Sequence, residues 1–386
     1  MTEKAQKIRN IPIALPSLGI DELEAVKEPI LKGWLTQGTQ VAKFEAEFSN
    51  MHNVRHALAT TSCTTALHSA LVAMGIGPGD EVIVPAFTWV STANVVLYCG
   101  ATLIFCDVDI KTYNIKISDI SSKITDRTKA IIPVHLFGLC ADIDAIKKVI
   151  PSHIKILEDA ACAAGASYKN RFAGSLGDMG AFSFHPRKSI TCGEGGMLTT
   201  NNNKLNIITE KLRNHGAEIS EEKRHLGPKP HVLPDFNIMG FNYRMTDLQA
   251  AVGMAQLSKL NNFIKEREYW ANYYTQELAS LDWLIPQSVP RYISQHAWQA
   301  YVCYVDPDKA PMTRNEIMEN LQAKGIATRP GTHAVHMLSF YREKYSFKPE
   351  DFPGACACDQ NTMAIPLHNK MVADDYEYIV EVLKSI

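Results

Sequence analysis

Short apolar runs alternate with helical patterns over the first two-thirds of the chain, which is typical of an α/β domain with a mostly parallel sheet. The predicted strands are residues 56–60, 81–85, 103–108, 130–135, 154–159, 181–185 and 196–200. Apolar residues at helical spacing predict helices from Thr64 to Met74, from Ser91 to Tyr98 and from Ala141 to Val149. We therefore expect a seven-stranded, mostly parallel sheet with helices packed against it.

The pattern changes after Met245. Residues 246–281 carry apolar side chains at helical spacing with charges on the opposite face, which predicts one long helix, kinked or straight, that links two domains. The elements predicted beyond it are strands near 300–305, 326–330 and 363–368 and helices over 313–324 and from Ala373 onward. We expect a large domain over residues 1–250 and a smaller α+β domain over residues 251–386.

Composition narrows the class of protein. The 386 residues hold 39 Lys and Arg against 41 Asp and Glu, so the net charge of -2 provides neither a basic surface for nucleic acid nor an acidic tail. Two uncharged stretches, 56–79 and 82–106, are broken by Ser and Thr or by Pro85, Asn94 and Gly100, so they predict sheet elements rather than membrane spans. Nine cysteines in no evident framework, and no apolar signal segment, predict a cytoplasmic protein with free thiols.

One lysine follows a buried strand and precedes a glycine-rich turn. The run 181–185 leads through Pro186 and Arg187 to Lys188, and Gly-Glu-Gly-Gly follows at 193–196. Partial desolvation at such a place favours the neutral amine, which can form a Schiff base with an aldehyde. Lys188 is therefore a candidate nucleophile, although a surface lysine in a turn would show the same local pattern.

A carboxylate ends another apolar strand. Asp159 closes the run 154–159, and such a position faces a ligand at the carboxyl edge of a parallel sheet. If the ligand is pyridoxal phosphate (PLP), an aspartate would keep the pyridine nitrogen protonated and make the ring an electron sink. A helix N-cap aspartate would fit the same pattern.

Two further segments join strands to helices. Residues 60–67 place free N–H groups and hydroxyls at a helix start, which suits a phosphate as well as plain N-capping. Trp89 lies just past the strand at 81–85, where an aromatic ring can stack on a flat ligand or pack in the core. An anion site, an aromatic, an aspartate and a lysine in this order suit a PLP enzyme.

The whole set resembles the DegT/DnrJ/StrS sugar aminotransferases, a branch of the fold-type I PLP enzymes, nearly from end to end. The motifs that carry the resemblance are Gly38-Thr39-Gln40-Val41 with Phe44-Glu45, residues 64–67, Ala93-Asn94, residues 134–138, residues 158–161, residues 183–188 with 193–196, and Gly240-Phe241-Asn242-Tyr243-Arg244-Met245. The lysine segment and Asn-Tyr-Arg-Met are the most specific of these. The resemblance implies the fold-type I architecture, with a seven-stranded large domain and a smaller α+β domain.

The resemblance also implies roles for individual residues. Lys188 would bind PLP covalently and later shuttle protons, Asp159 would pair with the ring nitrogen, and Trp89 would stack on the ring. The residues implied to hold the phosphate are Cys63, Thr64, Ser183 and, from a neighbouring subunit, Asn242. The last role implies a homodimer with shared active sites.

Two positions depart from the family pattern. The family often has Gln where Cys162 stands, and that Gln would contact the ring hydroxyl, so Cys162 leaves this hydrogen bond weaker or supplied by water. The family often has Gly where Cys63 stands, and a side chain there narrows the approach of the phosphate. Neither change removes the core chemistry.

The implied reaction is transfer of an amino group from glutamate to a nucleotide-linked keto sugar, with C4 of a 6-deoxyhexose as the favoured position, as in perosamine formation. Such enzymes serve amino-sugar and surface-polysaccharide biosynthesis, including lipopolysaccharide O-antigen. Candidate substrate contacts are Arg187, Arg244, Arg329 and Lys229, and His333 or His336 in the polar run 328–336. Arg, Lys and loop His side chains are solvated in most proteins, so a solvated surface position stays open as the alternative for each of these residues.

Three alternatives stay open. A PLP-dependent keto-sugar dehydratase would carry His in place of Lys188, and some of these enzymes add an iron–sulfur cluster. Such a cluster generally takes four Cys ligands, whereas Cys356 and Cys358 form a single close pair. A cyclitol aminotransferase would keep the same site. A noncatalytic regulatory or binding homologue need not retain Lys188, Asp159 and the phosphate segment together. No metal, nucleic acid or membrane partner is expected.

Overall fold

A computed structural model describes residues 9–219, 224, 227 and 231–386 of the chain. Its strands, in chain order, are β1 (His56–Thr60), β2 (Glu81–Pro85), β3 (Phe87–Thr88), β4 (Thr102–Cys106), β5 (Thr128–Ile131), β6 (Lys155–Asp159), β7 (Ser167–Tyr168), β8 (Arg171–Phe172), β9 (Met179–Ser183), β10 (Gly196–Thr200), β11 (Leu284–Pro286), β12 (Ile293–Gln295), β13 (Tyr301–Val305), β14 (Arg329–Pro330), β15 (His333–Ala334) and β16 (Thr362–Ile365). The α-helices are α1 (Ile20–Ala25), α2 (Lys27–Lys32), α3 (Thr39–His52), α4 (Cys63–Ala73), α5 (Ser91–Tyr98), α6 (Ile117–Ile120), α7 (Ile143–Val149), α8 (Asn203–Leu212), α9 (Asp247–Leu257), α10 (Leu260–Glu277), α11 (Arg314–Ala323), α12 (Ser339–Tyr345), α13 (Pro353–Asn361) and α14 (Ala373–Lys384).

The large sheet has seven strands in the order β1-β10-β9-β6-β5-β2-β4. Strand β10 runs antiparallel to both of its neighbours, and the pairs β9–β6, β6–β5, β5–β2 and β2–β4 are parallel. Val82 and Val84 pack into one apolar core while Ile83 packs into another, because side chains of a strand alternate between its faces. The mostly parallel seven-stranded sheet, buried on both faces, is confirmed.

Several strand ends differ from the prediction by two to four residues. Strand β5 ends at Ile131 rather than at residue 135, because Pro133 has no N–H to continue the ladder. A single bridge between Val134 and Asp159 continues the pairing. The strand predicted over 181–185 is β9, which ends at Ser183, so the chain leaves the sheet five residues before Lys188.

The stretch after Met245, predicted as one long helix, kinked or straight, is interrupted at two residues. Two helices stand there, α9 and α10, with Ser258 and Lys259 between them. The Ser258 hydroxyl donates to the carbonyl of Ala255 at 2.8 Å, and such local side-chain bonds compete with the helical ladder. Helix α9 packs against α3 beside the large sheet, and Ala271 and Tyr274 of α10 belong to the core of the C-terminal part.

The C-terminal part contains an antiparallel sheet in the order β11-β13-β16-β14. Its apolar core takes residues from α10, α11 and α14 and also Ile11, whose N–H donates to the carbonyl of Gly325 at 2.8 Å. The amino-terminal segment is therefore tied to the small sheet. A separate sheet and core agree with a small C-terminal domain, and the boundary at residue 250 stays a prediction.

Candidate active site

The carboxyl ends of the parallel strands bring the candidate residues to one edge of the large sheet. Strands β6 and β9 are neighbours and end at Asp159 and Ser183, and β1 ends at Thr60, just before helix α4. Loops at this edge of an open α/β sheet are the usual place for a ligand. The edge therefore holds residues that lie far apart in the sequence.

Lys188 lies in the turn after β9. Its N–H donates to the carbonyl of His185 at 2.8 Å, which closes a tight turn, and its side chain is partly buried. The Lys188 Nζ donates to Cys162 Sγ at 3.1 Å. Because Cys162 lies three residues beyond Asp159, this contact places the amine beside the end of β6.

Asp159 is a buried carboxylate with few donors around it. It is 4% exposed, its Oδ2 accepts from the Thr92 hydroxyl at 2.8 Å, and its Oδ1 accepts from the N–H of Ala161 at 3.2 Å. Burial raises the pKa of Asp159, although both hydrogen bonds and the charge of Lys188 act in the opposite direction. A carboxylate can accept about four hydrogen bonds, so Asp159 retains capacity for a further donor, best a charged one.

The first turn of α4 forms the third part of the site. Ser62 caps the helix, because its Oγ accepts from the N–H of Thr65 at 3.2 Å. Among the residues that the structure describes, no acceptor satisfies the N–H groups of Cys63 and Thr64. Free N–H groups at a helix start bind anions such as phosphate.

Gly196 lets strand β10 approach this helix start closely. A Cβ there would lie 2.4 Å from the carbonyl carbon and oxygen of Ser62 and 2.6 Å from the Cys63 nitrogen, so only glycine fits. Gly196 also pairs in register with Ser183, which brings Ser183 near the same turn. The last glycine of Gly-Glu-Gly-Gly is therefore required by close packing.

The cysteine at the helix start is a buried thiol. Cys63 is 9% exposed, and burial with the nearby Asp159 charge raises its pKa well above the ordinary value. Cys63 therefore stays protonated at neutral pH, and its backbone N–H is the group that remains available to an anion.

These groups fit PLP. A buried carboxylate whose pKa is raised for want of a cationic partner suits the protonated ring nitrogen, and the α4 start offers free N–H donors to the phosphate. Lys188 stands beside them as the amine for the aldehyde carbon. The ring nitrogen, the phosphate and the aldehyde carbon of PLP thus each have a complementary group at this edge of the sheet.

Trp89 and His333 form a surface pair at the rim. Strand β15 pairs with β3, which puts His333 opposite Thr88, and the rings of Trp89 and His333 have centroids 5.7 Å apart. Trp89 is 59% exposed, so its ring is free to stack on a ligand. His336 lies elsewhere: it is fully buried against Phe352, and its Nε2 lies 3.4 Å from Cys356 Sγ. The structure leaves His336 no surface for a substrate.

The remaining candidates are distributed unevenly. Arg187 and Arg329 line one cavity next to the lysine segment. Arg244 instead donates to Asn214 at 2.8 Å, and Asn242 is exposed on the same segment. Lys229 lies outside the described residues.

Sequence reasoning missed Thr92 as the partner of Asp159. The two residues lie 67 positions apart, and Thr92 directly precedes the motif Ala93-Asn94 without being part of it. It also missed that Glu158, the neighbour of Asp159, binds His135 at 2.8 Å on the other face of the strand. Both contacts depend on strand order, which a local pattern does not carry.

Among the described helices, none is long and apolar enough to cross a bilayer. Within residues 9–219 and 231–386, no group of three His, Cys, Asp or Glu side chains is arranged to hold a metal ion.

Comparison with known proteins places the chain in a family. Residues 16–384 match the DegT/DnrJ/EryC1/StrS aminotransferase family. The spore coat polysaccharide biosynthesis protein SpsC of Bacillus subtilis (strain 168) is 39% identical over 378 residues, 97% of this chain and 97% of that protein. The GDP-perosamine synthase of Caulobacter vibrioides is 38% identical over 378 residues, 97% of this chain and 98% of that protein.

Solved structures agree. Spr1654 from Streptococcus pneumoniae, assigned as a sugar aminotransferase and solved in its PLP-form, superposes with a TM-score of 0.89 at 27% identity, over 97% of this chain and 98% of that one. The fold-type I architecture, the cofactor and the reaction type predicted from the motifs are thereby confirmed. The chain belongs to the DegT/DnrJ/EryC1/StrS family of PLP-dependent sugar aminotransferases.

Proposed function

We propose that this aminotransferase moves an amino group from glutamate to C4 of a nucleotide-linked 4-keto-6-deoxyhexose. The observation that carries the proposal is the meeting of Lys188, Asp159 and the α4 start at one sheet edge. Its similarity to a GDP-perosamine synthase, at 38% identity over nearly the full length, supports a nucleotide-linked sugar as acceptor. A role in surface polysaccharide biosynthesis, O-antigen included, follows from this proposal.

Each residue of the site has one physical task. When bound, PLP supplies an electron sink next to the carbon that carries the amino group. Asp159 holds the ring nitrogen protonated because it is a buried anion with unused acceptor capacity. The N–H groups of Cys63 and Thr64, with the Ser183 hydroxyl, hold the phosphate.

Lys188 carries out the proton transfers. Its Nζ would move the proton from the amino-bearing carbon of glutamate to the aldehyde carbon of the cofactor, and in the second half-reaction it would move a proton from that carbon to C4 of the sugar. Positioned acid–base transfer of this kind contributes about 10²–10⁴-fold to a rate. Trp89 would cover the ring, and His333, whose ring lies 5.7 Å from that of Trp89 at the rim, would contact the sugar.

We also propose a cytoplasmic homodimer with shared active sites. All nine cysteines are free, which suits a reducing compartment. Large apolar side chains stand exposed on α1 and α2, with Leu31 85% exposed, and on residues 232–239, with Met239 83% exposed. Exposed apolar patches of this kind favour a protein partner. Asn242 is exposed next to Tyr243, where it can reach the phosphate of a second copy.

The test is a product assay on the PLP-loaded enzyme. The protein is incubated with glutamate and a panel of nucleotide-linked keto sugars, and mass spectrometry and NMR locate the new amine. We expect amination at C4 of a 6-deoxyhexose. A deoxygenated sugar would identify a dehydratase, amination of a cyclitol would identify a different acceptor class, and no conversion would favour a noncatalytic protein.

The first prediction concerns Lys188→Ala. The variant should lose the absorbance of covalently bound cofactor and at least about 10²-fold of turnover, because both the covalent link and the proton carrier are gone. Absorption spectra and product formation are compared with those of Lys204→Ala, an exposed lysine outside the site. Transamination by Lys188→Ala at the wild-type rate would show that the lysine is wrongly assigned.

A further inference from the structure

We propose that Cys162 is a reversible oxidation site, at which hydrogen peroxide links the cysteine sulfur to the Lys188 amine. The proposal adds a modification site to the proposed function and rests on it in one point, the role of Lys188 as the cofactor lysine. The observation that carries it is the distance of 3.1 Å between Lys188 Nζ and Cys162 Sγ. The thiol therefore lies against the amine on which the chemistry depends.

The reaction has two balanced steps. Hydrogen peroxide transfers one oxygen atom to the thiol, so the sulfur is oxidised to a sulfenic acid and the peroxide is reduced to water. The nitrogen lone pair of Lys188 then attacks that sulfur, and an S–N bond forms while the hydroxyl group leaves with a proton of the amine as water. A thiol reverses the link by breaking the S–N bond to form a mixed disulfide, and a second thiol releases Cys162.

The surroundings of Cys162 suit a reactive thiol. Its side chain is partly exposed, in the turn that follows the end of β6. The Lys188 amine contacts its sulfur, and the charge of Arg329 lies within electrostatic reach. Reactive cysteines occupy such electropositive and partly exposed places, because the thiolate is the form that attacks an oxidant.

The other cysteines lack this combination. Cys99 and Cys356 are also partly exposed, but burial raises the pKa of Cys99 to about 11 and that of Cys356 above its ordinary value. Among the described residues, no lysine amine lies within hydrogen-bond distance of either sulfur. The remaining six are buried: Cys63, Cys106, Cys140, Cys192, Cys303 and Cys358. Peroxide is therefore directed to Cys162.

Two groups compete to trap the oxidised sulfur. Cys63 lies within electrostatic reach of Cys162, and a disulfide would be its product. Burial and the Asp159 charge raise the pKa of Cys63 well above its ordinary value, so the thiolate that a disulfide requires is scarce. Lys188 is already in contact, and its flexible four-carbon stem lets the amine close the remaining distance. The amine is the expected partner.

The state of the cofactor decides when the link can form. While Lys188 holds PLP covalently, its nitrogen is occupied. When the cofactor carries the amino group, the lysine is released and its amine is free to contact Cys162. Oxidation at that stage removes the nitrogen that has to bind the cofactor again. The enzyme would then stop between its two half-reactions until a thiol reduces the S–N bond.

The test compares enzyme loaded with pyridoxamine phosphate and enzyme loaded with PLP, each treated with hydrogen peroxide in the absence of glutamate and sugar. Mass spectrometry of the digested protein detects a cross-link between the peptides of Cys162 and Lys188, about 2 Da lighter than their sum. We expect this cross-link in the pyridoxamine phosphate form only, and its loss after dithiothreitol. Until that reduction, added PLP should not restore the absorbance of covalently bound cofactor.

Three variants serve as controls, and each is compared with its own untreated sample. Cys162→Ser and Lys188→Ala should form no cross-link. Cys99→Ser removes a partly exposed thiol outside the site and should cross-link as the wild type does. Addition of oxygen alone at Cys162, a disulfide between Cys162 and Cys63, or an unmodified Cys162 would each overturn the proposal.

Equal cross-linking of both loaded forms would overturn the control by the cofactor, and with it the role of Lys188 as the cofactor lysine. The S–N bond itself would stand in that case. Because neither arm uses an amino donor or a keto sugar, failure of the proposed acceptor would leave this test intact.

Discussion

Two adjacent carboxylates at the end of β6 lie on opposite faces of the same sheet and have opposite fates. Glu158 is fully buried, and its two oxygens accept from four donors: His135 Nε2 at 2.8 Å and the N–H groups of Gly174, Leu176 and Gly177 at 2.8, 2.7 and 2.6 Å. Asp159 is nearly as buried but accepts from two donors only. The protein itself supplies Glu158 with all the hydrogen-bond donors that its two oxygens need, whereas Asp159 keeps capacity for further donors.

The difference separates a structural from a functional carboxylate. The four donors of Glu158 come from two loops, so the residue ties the strand end to the turn at 174–177. Asp159 instead faces the side where Lys188, Cys162 and the α4 start converge. A buried acceptor that keeps spare capacity after folding is available to a ligand, and under the proposed function that ligand is the protonated ring of PLP.

The largest effect is expected from Asp159→Asn. The variant cannot pair a negative charge with the ring nitrogen, and breaking such a buried pair costs about 3–5 kcal/mol. Turnover should therefore fall about 10²–10⁴-fold, with the fold retained. Single-turnover rates with glutamate measure this loss directly. A variant within a few-fold of wild type would show that the carboxylate does not act on the cofactor.

The cofactor-free protein provides the control for this variant. Burial raises the folded pKa of Asp159 above its ordinary 3.8, so the folded state binds this proton more tightly than the unfolded state. Relative to Asp159→Asn, the wild type should lose stability as pH rises from below 3.8 through the raised pKa. Urea unfolding of both proteins over this pH range measures the difference in their stability. If a cationic partner within the protein already neutralised Asp159, the difference would not change in this way with pH.

Glu158→Gln should lower the stability of the fold and leave the rate of the chemical step of the folded enzyme unchanged. The new NH₂ group would face backbone N–H groups that now have an acceptor, and leaving buried donors unsatisfied costs about 1–3 kcal/mol. We expect a loss of about 2–3 kcal/mol in the free energy of unfolding of the cofactor-free protein. The exposed Glu319→Gln should change it by less than about 0.5 kcal/mol.

Equal stability of the two glutamine variants would mean that the Glu158 network contributes nothing. Loss of stability together with an unchanged single-turnover rate per folded molecule is the outcome that keeps the two carboxylates apart. A rate loss as large as that of Asp159→Asn would instead place Glu158 in the site.

The sequence predicted the sheet well because its strands are continuous apolar runs bounded by turns. Strand ends were less predictable, since Pro133 and the turn at Ser183 end the ladders by hydrogen-bond geometry rather than by hydropathy. The break at Ser258 inside an unbroken apolar stripe was invisible for the same reason.

Candidate residues at a strand end, such as Asp159, or in the turn after one, such as Lys188, were predictable where a motif marked them. Their surroundings were not. Thr92 meets Asp159 only because β2, which precedes the helix of Thr92, is separated from β6 by a single strand, β5, in the sheet order. His336 resembled a substrate contact in the polar run 328–336, but the packing against Phe352 buries it.

The smallest of these effects is expected from Thr92→Val, which keeps the shape and removes the hydroxyl that donates to Asp159 Oδ2. Losing one hydrogen bond to a charged group costs about 1.5–3 kcal/mol, so PLP affinity and turnover should fall less than in Asp159→Asn. Thr92→Ser should restore most of both.

The decisive measurement for Thr92 is the double variant. If Thr92 acts only by holding the carboxylate, Thr92→Val should cost little more once Asp159 is already Asn, because residues in one hydrogen-bond network are not additive. Additive losses in PLP affinity would mean that Thr92 acts through packing against Thr88 instead, whose hydroxyl lies 3.1 Å from its own. In that case the backbone of β6 alone would orient the Asp159 carboxylate. Asp159 would then differ from Glu158 in the number of hydrogen bonds it accepts, and not in having Thr92 as a partner that orients it.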